Sequence, residues 1–228
     1  YVNKIIPFPF GNPNFKNIEY FNGKYVIPVV YPSDSSTLIV TDLNTETYYH
    51  YVDFVFSLSA MTIVDNEMYL YAKDRNFSND LQFARLNNDF TYNWKKEIHT
   101  AGDFNFPLSS ISLGRNVFAT YIFETGNIRK FGIFNIKPDG TIKWNKVYDN
   151  NLKYATLWDL DSRNGNYILG SYNVTYTNDF NSSVRVIKID TSGQEIWKSD
   201  TLRGVNDNDD AVWMTELSDS NIFLTYKV

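Results

Sequence analysis

Three acidic residues are the positions of this sequence best suited to catalysis. Glu19, Asp161 and Glu216 fall in one column when the strand–turn repeats described below are aligned. The other two places in that column are Thr62 and Ile111. Carboxylates that lie together shift one another's pKa values, so one can hold a proton while another stays ionised. Such a cluster serves acid–base hydrolysis of a glycosidic bond or binds a cation, and it equally suits a solvated channel.

Aromatic side chains offer a second kind of site. Trp158 and Trp213 fall at one position of the same alignment, where they either stack on a sugar or a partner side chain or pack between sheets. The two longest loops carry aromatics among polar residues, a composition typical of recognition surfaces. The aromatic candidates for ligand or partner binding are Trp158, Trp213, Phe77, Tyr176 and Phe180.

One acidic loop is a weak candidate for a metal. Asp207, Asp209 and Asp210 supply oxygen ligands of the kind that Ca²⁺ prefers, but the loop lacks the glycine and the distal glutamate of an EF-hand. The two histidines, His50 and His99, lie in different repeat units with no partner pattern. Neither a catalytic triad nor a histidine metal site is therefore expected. No glycine-rich phosphate loop occurs, and no cofactor is expected.

Composition excludes several other functions. The 228 residues carry a net charge of −5 with no basic block, which argues against nucleic acid or an anionic membrane surface as partner. Cysteine is absent, so disulfides, cysteine nucleophiles and thiolate metal sites are excluded. No apolar run approaches the ~18 residues of a membrane span. Because the sequence begins at Tyr1 without methionine, we expect a mature or partial chain.

An internal repeat organises these residues. A short polar turn followed by a strand recurs five times, at intervals of 43 to 55 residues. In four units an aliphatic marker follows 18 to 22 residues later, and an aromatic residue eight positions after that. The strand markers are Tyr25, Met68, Val117, Tyr167 and Ile222, the aliphatic markers are Leu43, Leu86, Ile136 and Ile189, and the aromatics are Tyr51, Trp94, Trp144 and Trp197. Markers that stay in phase indicate a true repeat of four short strands.

Units of this length with four antiparallel strands predict an all-β protein, a β-propeller. The 17% aromatic content agrees, because aromatic residues favour strands. We expect a single domain over residues 1–228, with blades at about 17–59, 60–108, 109–156 and 157–211 and a fifth made of 212–228 together with 1–16. In that arrangement Val2–Phe10 adds an outer strand that closes a five-bladed ring and covers its open edges. The alternative is part of a larger propeller.

Two hairpins carry a resemblance to a known family. Ile187–Trp197 and Phe134–Trp144, which contain Asp-Thr-Ser-Gly and Pro-Asp-Gly before their tryptophans, resemble the repeats of secreted bacterial β-propellers. They are also similar to quinoprotein-like repeats, in which a glycine ahead of a tryptophan docks neighbouring blades. The resemblance implies that Gly193 turns the chain and Trp197 docks the next blade. It also implies an extracytoplasmic protein, whether periplasmic, on the cell surface in association with the outer membrane, or secreted. A quinone cofactor does not follow from the resemblance.

Two functions remain open from the sequence. The main expectation is a non-catalytic binding or scaffold module of a bacterial cell-envelope or secreted protein, which meets a protein or glycan partner through its loop face. The alternative is a five-bladed glycoside hydrolase that uses the channel carboxylates Glu19, Asp161 and Glu216. Carboxyl groups about 5–10 Å apart in an open pocket favour the enzyme.

Overall fold

Every regular element of the described residues is a β-strand. In this computed structural model the chain divides into two units, residues 1–100 and 101–228, which are described separately. The residues described are 14–15, 18–30, 36–42, 47–54, 56–74, 80–100, 104–148, 154–162, 165–175, 182–202, 210–217 and 221–227. No helix among them is long and apolar enough to cross a membrane.

The strands are short and follow one another closely. Those of the first unit are β1 (Asn14–Phe15), β2 (Glu19–Phe21), β3 (Lys24–Val30), β4 (Ser36–Thr41), β5 (Thr47–Phe54), β6 (Phe56–Val64), β7 (Glu67–Asp74), β8 (Leu81–Leu86) and β9 (Tyr92–Ile98). Those of the second unit are β10 (Phe104–Leu113), β11 (Asn116–Thr125), β12 (Ile128–Ile136), β13 (Ile142–Val147), β14 (Tyr154–Asp161), β15 (Tyr167–Thr175), β16 (Ser182–Asp190), β17 (Glu195–Lys198), β18 (Asp210–Glu216) and β19 (Ile222–Lys227).

The strands form antiparallel meanders, in which each strand pairs with the next along the chain. In the first unit β6–β7–β8–β9 is a four-stranded meander, and β3–β4–β5 is another whose strand β3 also pairs with β1 and β2. In the second unit β10–β11–β12–β13 and β14–β15–β16–β17 repeat the pattern, and β18 and β19 form a hairpin. A parallel contact between Arg129 and Tyr154 joins two of these meanders. The predicted all-β class with antiparallel sheets is therefore confirmed.

Tight polar turns fix the register of the first hairpins. Asn22 and Gly23 have φ angles of 49° and 77°, and Asp65 and Asn66 have φ angles of 48° and 59°. Two consecutive residues with positive φ make a type I′ turn, whose twist matches that of paired strands. Nδ2 of Asn66 donates a hydrogen bond to Oδ1 of Asn22 at 2.8 Å, so the turns of two successive meanders touch.

Burial is greatest in the second and third strands of each meander. Strand β4 is buried along its whole length and β8 and β15 nearly so, whereas the fourth strands β9, β13 and β17 consist almost entirely of exposed and half-buried residues. A strand buried on both faces needs packing partners on both sides of its sheet. In the first unit one apolar cluster joins Val26 to Met68 of the next meander. In the second unit another joins Phe131 to Leu157 and Ile187. Successive meanders within a unit therefore pack face to face.

A turn of one meander docks on a tryptophan of the meander before it. Nε1 of Trp144, on β13, donates a hydrogen bond to the carbonyl oxygen of Thr191, in the turn between β16 and β17, at 3.0 Å. The hydroxyl of Tyr148 donates to the carbonyl oxygen of Gly193, also at 3.0 Å. A Cβ atom at Gly193 would lie 2.9 Å from Cδ of Lys146 and 3.0 Å from the Trp144 ring, and the φ angle of 79° also favours glycine at this position. Trp197, the next tryptophan of the repeat, is 46% exposed.

A β-bulge interrupts the first strand of three of the described meanders and of the last hairpin. The extra residue is Ser59 in β6, Trp158 in β14 and Val212 in β18. In β10 the register shifts between Pro107 and Ser110. A bulge displaces the alternation of side chains by one residue. Equivalent positions of these strands must therefore be counted from the bulge.

The variant Gly193→Ala tests the docking of this turn. Gly193 and Gly23 have φ angles of 79° and 77°, so alanine strains both backbones alike, but an added Cβ meets neighbouring atoms only at Gly193. We expect G193A to lower the free energy of unfolding by about 1–3 kcal/mol more than G23A does, as measured by urea denaturation. Equal losses in the two variants would show that the turn makes no tight contact with Trp144.

Candidate functional site

Two aspartates fill the gap between β14 and β18 in the second unit. Asp159 and Asp161 lie two residues apart on β14 beyond its bulge, so their side chains project from the same face of the strand. The amide of Met214 donates a hydrogen bond to Oδ2 of Asp159 at 2.9 Å, and the amide of Glu216 donates to Oδ2 of Asp161 at 2.9 Å. The two carboxylates thus take backbone donors that would otherwise belong to a neighbouring strand.

Further donors fix the orientation of both carboxyl groups. The hydroxyl of Thr215 donates to Oδ2 of Asp161 at 2.9 Å, and the amide of Ser162 donates to Oδ1 at 2.7 Å. The amide of Leu160 donates to Oδ1 of Asp159 at 2.9 Å. Because each of the four carboxyl oxygens accepts at least one hydrogen bond, neither side chain is free to rotate without breaking a contact.

The surroundings of Asp159 favour its protonated form. Burial raises the pKa of Asp159 above the ordinary value of 3.8, and the nearby charge of Asp161 raises it further. The backbone hydrogen bonds from Met214 and Leu160 act in the opposite direction but do not cancel the effect of burial. Asp159 therefore keeps its proton to a higher pH than an exposed aspartate does. A carboxyl group that holds a proton beside a second carboxylate is the arrangement used for acid–base catalysis.

A third carboxylate, Glu216, ends strand β18. It is only 2% exposed, and the hydroxyl of Tyr167 donates a hydrogen bond to its Oε1. Nζ of Lys188 lies 3.5 Å from the centroid of the Tyr167 ring, a cation–π contact. The hydrogen bond from Tyr167 offsets part of the cost of burying the carboxylate away from water.

A groove of about 300 Å³ opens beside Glu216. It is lined by Leu169, Lys188, Ile196, Trp197, Glu216 and Ile222. Trp197 occupies the place in its meander that Trp144 occupies in the preceding one, where a turn of the following sheet covers the ring. In the part of the chain that the structure describes, β18 and β19 have no third and fourth strand to supply such a turn. Trp197 and the adjacent Ile196 are consequently 46% and 54% exposed.

The first unit contains a cluster that the sequence reasoning missed. Strands β8 and β9 pair with Gln82 opposite Glu97, and continuing that register places Asp80 opposite His99. Oδ1 of Asp80 lies 2.7 Å from Nδ1 of His99, and this hydrogen bond raises the pKa of the imidazole above its ordinary value of 6.5. One ligand atom from each of Asp80, Glu97 and His99 lies within 4.8 Å of the other two. Counting outward from the hairpin turn would have missed this pairing by one residue, because the register of β8 and β9 shifts between Arg85 and Leu86.

The structure brings two of the three predicted catalytic residues together. Asp161 and Glu216 share a hydrogen bond through the amide of Glu216, whereas Glu19 belongs to β2 of the first unit. Counted from the bulges, however, the counterpart of Asp161 on β18 is Thr215. The predicted column was therefore misaligned by one residue at Glu216, whose side chain projects from the opposite face of β18 to that of Thr215.

Most of the predicted binding residues lie outside what the structure describes. The backbones of Trp158 and Trp213 belong to β14 and β18 but are not at equivalent positions, since Val212 is the bulge residue that matches Trp158. Their side chains, and that of Asp210 at the start of β18, are not among the described ones. Outside the described residues altogether lie Phe77, Tyr176, Phe180, Asp207 and Asp209. Their predicted roles in aromatic recognition and calcium binding stay predictions.

Comparison with known proteins gives similarity of fold without similarity of sequence. No family model matches the chain, and no curated protein sequence matches it significantly. A thermostable family-43 glycoside hydrolase is similar over 95% of this chain and 84% of its own, with 10% identity and a TM-score of 0.53. Puromycin hydrolase is similar over 96% of this chain but 36% of its own, with 9% identity and a TM-score of 0.63. A prolyl endopeptidase is similar over 94% of this chain and 30% of its own, with 10% identity and a TM-score of 0.53.

These similarities contradict the main functional expectation from the sequence. A non-catalytic binding or scaffold module was expected, yet the three similar structures named above are a glycoside hydrolase, puromycin hydrolase and a prolyl endopeptidase. The glycoside hydrolase among them matches this chain over most of its own length, which agrees with the alternative expectation. At 10% identity the likeness concerns the fold alone. The motif-based expectation failed because the repeated hairpin determines how neighbouring sheets pack and carries no catalytic residues.

The hydrogen bond between Tyr167 and Glu216 can be tested by Tyr167→Phe. Removing the hydroxyl leaves a buried carboxylate oxygen without this donor, so we expect a loss of about 1–3 kcal/mol in the free energy of unfolding. The matched control is Tyr20→Phe, because Tyr20 is 62% exposed and the same change should cost almost nothing there. A double-mutant cycle of Y167F with E216Q should show coupling between the two side chains, and additive losses would contradict it.

Proposed function

We propose that this protein is a glycoside hydrolase built on a β-propeller. The observation that carries the proposal is the Asp159–Asp161 pair at the junction of β14 and β18, where burial raises the pKa of Asp159 beside a second carboxylate. Paired carboxyl groups in unlike environments are what hydrolysis of a glycosidic bond requires. The similarity in fold to a family-43 glycoside hydrolase supports the same class of reaction.

In this proposal the two aspartates have different roles. Asp159 is the general acid, and its proton passes to the glycosidic oxygen as the bond to the anomeric carbon breaks. Asp161 is the general base: it takes a proton from a water molecule that attacks the anomeric carbon from the other side, and this water supplies the hydroxyl group of the released sugar. The hydrogen bonds from Thr215 and from the amide of Glu216 hold Asp161 in place for this step.

The activity test uses the purified chain with a panel of polysaccharides and 4-nitrophenyl glycosides. We expect hydrolysis of at least one glycoside, and a loss of about 10²–10⁴-fold in kcat for Asp159→Asn. The control Asp65→Asn makes the same chemical change in an exposed turn of the first unit and should keep full activity. Absence of hydrolysis across the panel would refute the proposed function, and full activity of D159N would refute the assignment of the acid.

The raised pKa of Asp159 predicts a direction for the pH dependence. Activity should fall as the pH rises through the folded-state pKa, because the general acid then loses its proton. The stability contributed by the protonated group is present below the unfolded-state value of about 3.8 and is lost as the pH rises through the higher folded-state pKa. The free energy of unfolding of D159N relative to that of the wild type should therefore increase with pH over that range. A difference that stays constant with pH would contradict the shift.

We propose further that the propeller closes as a five-bladed ring, with residues 2–10 adding a strand to the β18–β19 hairpin. Three observations support this proposal. Trp144, the equivalent of Trp197 in the preceding meander, is covered by a turn of the following sheet. Trp197 itself is 46% exposed, and Phe223 of β19 is 49% exposed. An added strand would cover these apolar side chains and occupy an open edge of the hairpin. Such an edge otherwise pairs readily with other chains.

Deletion of residues 1–10 tests ring closure. The truncated chain should unfold at a lower temperature, by about 2–4 °C for each kcal/mol of packing lost, and acrylamide should quench Trp197 fluorescence more strongly. The same deletion is also made in the variant Trp197→Phe, in which only the other four tryptophans fluoresce. The difference in quenching between the two backgrounds is the contribution of Trp197. An unchanged melting temperature and unchanged quenching would favour the larger propeller instead.

A further inference from the structure

The cluster at the end of the β8–β9 hairpin stands apart from the proposed catalytic aspartates. Asp80 directly precedes β8 and His99 directly follows β9. Asp80 lies two residues from Gln82, as His99 does from Glu97, so the four side chains form a square on one face of the hairpin. Oδ1 of Asp80 lies 2.7 Å from Nδ1 of His99. The third corner, Glu97, offers an oxygen within 4.8 Å of both.

We propose that Asp80, Glu97 and His99 bind a divalent transition-metal ion, for which Zn²⁺ is the probe. The donors are one imidazole nitrogen and two carboxylate oxygens, a mixed set that suits zinc and the neighbouring first-row metals better than Ca²⁺ or Mg²⁺, which prefer oxygen alone. Three protein ligands leave a coordination position for water. This inference is independent of the proposed glycoside hydrolase activity, because none of the three residues belongs to the second unit.

The distances fit such an ion after small side-chain rotations. Two ligand atoms bound to one zinc ion at 2.0–2.1 Å in tetrahedral geometry lie about 3.3–3.4 Å apart. The 2.7 Å contact between Asp80 and His99 is slightly shorter than this separation, and the 4.8 Å limit for the whole cluster is longer. The His99 side chain is 76% exposed, so it can move without disturbing the core. Each carboxylate can also turn either of its oxygens to the ion.

Neighbouring side chains hold the square in place. Gln82 is only 3% exposed, and its Nε2 donates a hydrogen bond to Oε1 of Glu97 at 3.4 Å, as a supporting residue does for a metal ligand. Lys96 alternates to the opposite face of β9, where its Nζ lies 5.6 Å from the centroid of the Trp94 ring. Its positive charge is thereby directed away from the two carboxylates. The ion would link β8 to β9, the exposed fourth strand of its meander.

The test is calorimetric titration of the full chain, without a histidine tag, with ZnCl₂. We expect one Zn²⁺ per chain and a loss of affinity of at least about tenfold in each of His99→Ala, Asp80→Asn and Glu97→Gln. The chain offers a matched control, since it has no cysteine and only one other histidine. His50→Ala should therefore bind Zn²⁺ as the wild type does. The melting temperature without metal should be the same in all variants, which excludes misfolding as the cause.

Proton NMR of the two imidazole rings gives a second readout. Added Zn²⁺ should shift the His99 signals and leave those of His50 unchanged, with the assignment made from H50A. Zinc binding that survives H99A, zinc binding that is lost in H50A, or no binding up to 1 mM would each overturn the proposal. Tight Ca²⁺ binding that is indifferent to H99A would overturn the assignment to a transition metal.

Discussion

The middle strands of these meanders are buried on both faces, and this makes every sheet depend on its neighbours. Strand β4 has no exposed residue along its length, and Phe131, Leu157 and Ile187 of two successive meanders share one apolar cluster. A sheet of this kind cannot stand alone in water, because one apolar face would stay exposed. Repetition of the sheet solves the problem, since each copy supplies the cover that the previous one needs.

Polar groups set how closely the sheets of the second unit approach. At the outer strands the docking of Gly193 against Trp144 is completed by hydrogen bonds to turn carbonyls, and burial holds Tyr148 in its neutral, donating form by raising its pKa. At the first strands Asp159 and Asp161 bind the amides of β18. A carboxylate buried in this way costs desolvation free energy, and the backbone donors offset part of that cost.

The two aspartates therefore have to meet a structural requirement and a requirement of the proposed chemistry, and these two usually conflict. As connectors between β14 and β18 they need fixed orientations and satisfied oxygens, and in the proposed catalytic role they need one proton held at a raised pKa. Burial meets both demands at Asp159, because the same low-dielectric surroundings that strengthen its hydrogen bonds also disfavour its charged form. The His99 cluster of the first unit is different in kind. It lies at the exposed end of a hairpin, where ligands can move and bind without unpacking a sheet.

The sequence by itself determined the all-β class, the repeated four-strand pattern and its turns, because these depend on local preferences. Asn22-Gly23 needs positive φ angles, and apolar residues in strand-length runs need burial. What the sequence could not supply was the register of the first strands. A single bulge residue, Trp158 or Val212, reverses every side chain beyond it, so Thr215 faces Asp161 where spacing alone placed Glu216. In the same way only strand pairing brought His99 to Asp80, since residues 19 positions apart become neighbours only when a hairpin closes.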